Sequence, residues 1–276
     1  VLIIAPTREL AQQIDEQFRE FAQGLNLYSA LIVGGVSVDR QMRDLKRRPQ
    51  FIIGTPGRLK DLINRRLIPL DRMTTLVLDE ADRMLDMGFL PDIRAIVNGM
   101  PVERQTLFFS ATITPEIQAL VNTFLKDPVT VSVRTSETSE HVEQTVIEAR
   151  DKTHKLELLT EMLKGADYDK VLVFGETKFG VQRLSDHLDN SGIPSVAIHG
   201  NKNQSQRQRA LKQFKDERVR VLVATDVAAR GLDIPNVSHV INFDTPQNYE
   251  DYIHRIGRTG RAGASGKAHT FIDIQR

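Results

Sequence analysis

At 276 residues, with 40% hydrophobic and 26% charged residues, the chain has the make-up of a soluble globular protein of two ordinary domains and not of a disordered or fibrous one. Its net charge of +1 supplies no global basic field, so any nucleic-acid binding must come from local Arg and Lys placement. The lack of cysteine excludes a disulfide framework and thiolate metal sites and fits a reducing cytoplasm, while no apolar run approaches membrane-span length and no signal-peptide pattern is present.

The predicted elements begin at once. Val1-Leu2-Ile3-Ile4-Ala5 reads as a core strand, which needs neighbours, so the chain is expected to be a fragment whose N-terminal part is missing. Further apolar runs at 30–33, 51–53, 76–78, 106–109 and 129–133 alternate with helical patterns such as 10–21. This βαβ alternation predicts a parallel sheet covered on both faces. The polar stretch that follows lacks apolar periodicity and predicts a linker over 134–142. The alternation restarts with strands at 144–147, 171–174, 195–198, 219–224, 240–243 and 268–272. The expected domains are therefore 1–133 and 143–276, both α/β.

In an open α/β sheet ligands gather at the C-terminal strand ends, so the chemistry is expected there. Pro6-Thr7-Arg8-Glu9-Leu10-Ala11 opens a helix whose amides, with Arg8, suit a phosphate; a plain Thr7 N-cap with Arg8 solvated is the alternative. Gly34-Gly35 permits close backbone approach or simply a turn, and Thr55-Pro56-Gly57-Arg58-Leu59 repeats the pattern of small residues and Arg. Three such strand ends together make a track for phosphates and sugars.

Leu76-Val77-Leu78-Asp79-Glu80-Ala81-Asp82 is an apolar strand ending in carboxylates. A nucleotide hydrolase uses that arrangement to hold Mg²⁺ through the Asp and to handle the attacking water through the Glu; an acidic surface turn is the alternative. The hydroxyls of Ser110-Ala111-Thr112 are expected to bond Asp82, or else to cap the helix starting at Pro115.

The second half carries Thr177-Lys178 after a strand, then His199-Gly200, with Gln204 and Arg207 sharing a helix face. Ala224-Thr225-Asp226 leads to Asp233, which suits ribose hydroxyls. In His254-Arg255-Ile256-Gly257-Arg258-Thr259-Gly260-Arg261, Arg258 and Arg261 are spaced to meet one anion, as arginine fingers or as a basic nucleic-acid patch.

The ordered set 6–11, 55–59, 79–82, 110–112, 204–207, 225–233 and 254–261 resembles the motifs of the DEAD-box RNA helicases over the whole chain. The stretches 83–89 and 199–202 resemble the bacterial members. The resemblance implies two tandem RecA-like domains, the first incomplete, that close over ATP and one RNA strand and unwind short duplexes. It implies Mg²⁺ at Asp79, water handling at Glu80, and coupling between domains at Asp82, Ser110 and Thr112. It further implies ribose binding at Asp233, γ-phosphate contacts at Arg258 and Arg261, and a contact from His254 to the first domain's motifs. RNA backbone contacts fall to Thr7, Arg8, Gly35, Thr55, Gly57, Arg58, Gln204, Arg207 and Thr225, with little sequence preference.

One departure is plain: no Gly-x-x-x-x-Gly-Lys-Ser/Thr sequence occurs in these residues. Without P-loop amides and Lys, weak ATP binding and turnover are expected of the chain alone. A non-catalytic RNA-binding remnant and a DNA helicase of the wider superfamily remain as alternatives.

Overall fold

The computed structural model describes residues 1–132, 142–229, 234, 236–260 and 265–274. Two compact units emerge, one over Val1–Val131 and one over the described residues from Ser132 onward.

The first unit runs β1 (Leu2–Ile4), α1 (Arg8–Phe21), β2 (Ser29–Ile32), α2 (Val38–Lys46), β3 (Phe51–Gly54), α3 (Pro56–Asn64), β4 (Thr75–Leu78), α4 (Ala81–Asp86), α5 (Leu90–Asn98), β5 (Gln105–Phe108) and α6 (Pro115–Phe124). Its sheet has the order β2-β3-β1-β4-β5 and every pairing is parallel. All C-terminal strand ends therefore share one edge. The runs that compose the strands are apolar on both faces because helices cover both: Leu2, Ile4, Leu76 and Leu78 pack with Leu59, Leu62 and Ile96 on one side, and Ile53 packs with Ala11 on the other. Each fully buried aliphatic side chain contributes roughly 1.5–3 kcal/mol. Gly54 is required where β3 passes β2, since a Cβ there would collide with the Ile32 carbonyl.

The second unit runs β6 (Val142–Ala149), α7 (Lys152–Met162), β7 (Val171–Phe174), α8 (Lys178–Asn190), β8 (Ser195–Ile198), α9 (Gln204–Lys215), β9 (Val221–Ala224), α10 (Asp226–Ala229), β10 (His239–Asn242), α11 (Tyr249–Ile256) and β11 (Gly266–Asp273). Its sheet order is β6-β11-β10-β7-β9-β8, again wholly parallel. β7 and β9 are buried along their whole length, as their unbroken apolar runs require. Asp151, Thr177, Asn203 and Asn248 each cap the helix that follows with a side-chain oxygen.

Two expectations need correction. Residues 129–132 form no strand: Val129 and Val131 are 90% and 83% exposed, and an open groove of about 830 Å³ lies between them and β5. An apolar run becomes a strand only when it pairs with a ladder partner, and among the described residues no strand pairs with this one. Val142, assigned to the linker, is the first residue of β6, where it pairs with Gly266. The rest of that linker, 134–141, lies outside the described residues.

Candidate active site

β4 delivers Asp79 and Glu80 to the edge where all strands of the first sheet end. Glu80 takes a left-handed conformation, φ 47° and ψ 54°, which costs a residue with a Cβ about 1–2 kcal/mol. Backbone bonds hold the bend: the Ala81 amide donates to the Phe109 carbonyl at 3.0 Å, and the Glu80 amide donates to Asp79 Oδ1 at 2.9 Å. α4 then starts and brings Arg83 back beside Glu80, with Nε 3.6 Å from Oε2.

Asp82 is 7% exposed and closes the site on the β5 side. It accepts hydrogen bonds from the amides of Arg83, Ala111 and Thr112 and from the Thr112 hydroxyl, at 3.0, 3.1, 3.0 and 3.1 Å. The expected hydroxyl bond to Asp82 is thus made by Thr112 alone. The Ser110 hydroxyl donates instead to the Thr112 carbonyl at 2.7 Å and fixes the turn. The cap of α6 is Thr114, neither Ser110 nor Thr112.

Asp79 is left in a different state. Burial, and then the charge of Asp82, raise its carboxyl above the ordinary range, although the Glu80 amide opposes the shift. A divalent cation beside Asp79 would relieve that penalty. Among the described residues no three His, Asp or Glu side chains gather for a metal. A single carboxylate fits Mg²⁺, which keeps several waters and takes further oxygens from phosphates.

Along the same edge β1, β3 and β2 end side by side. Thr7 caps α1, its hydroxyl accepting from the Leu10 amide at 3.2 Å. Arg8 is half-buried: its guanidinium packs against Gly34-Gly35, where a Cβ on Gly35, which has φ +77°, would lie 2.6 Å from Nη1. Arg58 Nη1 donates to the Val36 carbonyl at 3.1 Å and ties α3 to the same loop. Thr55 occupies the N-cap position of α3 without using its hydroxyl there, and Gly57 is exposed. The structure brings together Thr7, Arg8, Gly35, Thr55, Gly57 and Arg58 on neighbouring strand ends of one sheet.

In the second unit β8 and β9 are neighbours, and the Thr225 amide donates to the Ile198 carbonyl at 3.3 Å. This sets Thr225, at the end of β9, beside the loop that leads from β8 into α9 with Gln204 and Arg207. Gln204 is buried and Arg207 half-buried, so this is not a solvated polar face. His254 is half-buried on α11 and Arg258 is 8% exposed just beyond it. Asp233 and Arg261 lie outside the described residues.

Sequence reading missed two features. Arg255 is 3% exposed and pairs with Asp226 through both Nε and Nη2, at 2.6 and 2.7 Å, while Nη1 donates to Asn242 Oδ1 and the Asp244 carbonyl. Arg83, buried beside Glu80, is the other; its spacing of three from Glu80 on a helix was the available signal.

Comparison with known proteins places these features. The DEAD/DEAH box helicase family matches residues 1–120, and the helicase conserved C-terminal domain matches residues 154–263. The ATP-dependent RNA helicase CshA of Limosilactobacillus reuteri is 46% identical over 98% of this chain and 54% of its own length. The S. cerevisiae Dbp5 structure bound to RNA and ADP BeF3 is 32% identical, covers 99% of this chain and 71% of that chain, and has a TM-score of 0.86. The chain belongs to the DEAD-box helicase family. A third likeness is Mss116p bound to ssRNA and AMP-PNP: 33% identical, 99% of this chain, 59% of that chain, TM-score 0.87.

The two α/β units of this DEAD-box chain have the RecA-like fold, and the expectation of that fold is borne out. The chain spans about half the length of the curated relative it matches, 54%. No helix among the described residues is long and apolar enough to cross a membrane.

Proposed function

We propose that this chain takes part in RNA-dependent ATP hydrolysis and in the local unwinding of short RNA duplexes. The observation that carries the reading is the end of β4: a strained Glu80, a desolvated Asp79, and an Asp82 bound by the residues after β5. Strain and an unrelieved carboxylate kept together fit a site that acts on a bound ligand. The strand-end track of the first unit is a second support.

In this reading Asp79 would hold Mg²⁺, which would supply positive charge to offset that of the ATP phosphates. Glu80 orients the attacking water, and Arg258 and Arg261 neutralise charge on the γ-phosphate. Asp233 receives the ribose. RNA lies along Thr7, Arg8, Gly35, Thr55, Gly57 and Arg58 in the first unit and Gln204, Arg207 and Thr225 in the second. These are contacts to phosphate and 2′-hydroxyl, so binding discriminates RNA from DNA more than one sequence from another.

No Gly-x-x-x-x-Gly-Lys-Ser/Thr sequence stands in the 276 residues, so by themselves they turn over ATP weakly. That same fact favours the second reading, an RNA binder without catalysis. Both readings share the RNA track, which can be tested alone. Single-stranded RNA is expected to bind this chain more tightly than DNA of the same sequence. Arg58→Ala is expected to weaken RNA binding and lower the slope of log affinity against log salt by about one. Equal RNA and DNA affinity with an unaltered slope would remove the track.

A further inference from the structure

The loop between β8 and α9 is organised around His199, which is 6% exposed and uses both ring nitrogens. The Asn201 amide donates to Nδ1 at 3.3 Å, so Nδ1 carries a lone pair and the proton sits on Nε2. Nε2 lies 3.0 Å from Gln182 Oε1, which accepts that proton's bond. The Gln182 amide is oriented in turn, because its Nε2 donates to Asp186 Oδ1 at 2.7 Å. The backbone closes the turn, with the Lys202 amide donating to the His199 carbonyl at 3.1 Å. Two residues on, Asn203 and Gln206 form a reciprocal capping box that fixes the first turn of α9, where Gln204 and Arg207 stand.

The chain Asp186, Gln182, His199, Asn201 thus runs from the outer face of α8 to the start of α9. Its polarity has one solution, the neutral Nε2–H tautomer. A proton added at Nδ1 would face the Asn201 amide donor to donor. The surroundings agree: burial first, then the cations Lys202, Arg207 and Lys178, hold the imidazole below its usual range. The Lys178 side chain lies close on the remaining side, where a Cβ on Gly200 would stand 3.2 Å from it.

We propose that His199 is a positioning residue for RNA: as a neutral imidazole it sets the register of the β8–α9 loop, and so aims Gln204 and Arg207 at the RNA backbone. The proposal rests on the reading of α9 as part of an RNA track. It assigns His199 no contact with RNA and no charge. Its effect passes through the loop, which separates it from a phosphate ligand.

Binding of a fluorescein-labelled oligouridylate to the 276-residue chain, measured by anisotropy across a salt series, tests it. His199→Leu removes both ring bonds and is expected to weaken binding about tenfold, the loss expected from one or two hydrogen bonds. The salt slope is expected to fall towards the Arg207→Ala value, because a misaimed Arg207 no longer neutralises its phosphate. His199→Asn, whose Oδ1 can accept from the Asn201 amide, is expected to recover most of the affinity. Gln182→Met, which releases the ring from outside the loop, is expected to give a smaller loss of affinity and a smaller fall in slope, and it guards against a His199→Leu variant that fails to fold. Arg207→Ala serves as the reference and is expected to lower both affinity and slope.

If Arg207→Ala binds like wild type, the RNA reading of α9 fails. If Arg207→Ala weakens binding while folded His199→Leu and Gln182→Met do not, the positioning role fails and the RNA reading stands. A loss of affinity in His199→Leu with the slope kept at the wild-type value would mean that Arg207 still meets its phosphate, and would overturn the proposal.

Discussion

At the end of β4 in the first unit and at the end of β10 in the second, charges are buried among the strand ends, but they are settled differently. Arg255 meets Asp226 through two guanidinium nitrogens and spends its third on Asn242 and Asp244. In the first unit Asp82 is satisfied by three amides and a hydroxyl, and its charge then bears on Asp79, whose carboxyl burial has already raised. One cluster is closed and holds the fold. The other keeps a carboxylate in an unfavourable setting that a bound cation would improve, as a site requires.

The largest expected effect comes from opening the closed cluster. Arg255→Leu leaves Asp226 without its partner and strands Asn242 and the Asp244 carbonyl. Breaking a buried pair from one side costs about 3–5 kcal/mol, to be read as a lower urea midpoint for the second unit. A midpoint within error of wild type would mean the pair is not structural.

A third cluster, one strand length from Arg255 at the start of β10, sharpens the contrast. His239 stacks on His269 at 5.6 Å and lies tilted against Tyr168 at 4.3 Å. Burial first, then the charges of His269 and Lys267, push His239 from 6.5 down to about 4, and burial likewise lowers His269. The unfolded chain then takes up protons that the folded chain refuses. Stability from His239 is full above pH 6.5 and is lost as pH falls from 6.5 towards 4. At the acid limit the loss approaches roughly 3 kcal/mol. Chemical denaturation of wild type and His239→Phe across that window checks it, since the variant should lose part of the slope and keep what His269 contributes. An unchanged slope would place the acid sensitivity elsewhere.

The smallest effect is expected at the open cluster. Asp79→Asn removes a desolvated charge beside Asp82, so the folded chain should gain stability or hold it, within about 1 kcal/mol. A loss of several kcal/mol would show that Asp79, like Arg255, serves the fold.

The strands were legible because parallel strands covered on both faces are short apolar blocks; the limits of β7 and β8 coincide with the apolar runs themselves. The run at 129–132 shares that signal, but among the described residues no strand pairs with it, and composition is blind to partners. The acidic tip, the Arg and Gly turns and the hydroxyls after β5 were legible by their places at strand ends. What escaped was settled by distance through space. Arg255 stood in a string read as arginine fingers or a basic patch, and its partner Asp226 is 29 residues away. The left-handed Glu80 has no local signature either, since the bond from Ala81 to Phe109 that fixes it spans two strands. The choice of Thr112 over Ser110 for Asp82 likewise depends on how one turn closes.

The central claim is that the end of β4 is a hydrolytic site. Phosphate release from ATP, with and without single-stranded RNA, tests it most directly when these residues are joined to a P-loop-bearing segment, wild type beside Glu80→Gln. The account expects release that RNA stimulates in wild type and that falls at least about a hundredfold in the variant, with RNA affinity unchanged. Equal release from both proteins would take Glu80 out of the chemistry and contradict the account.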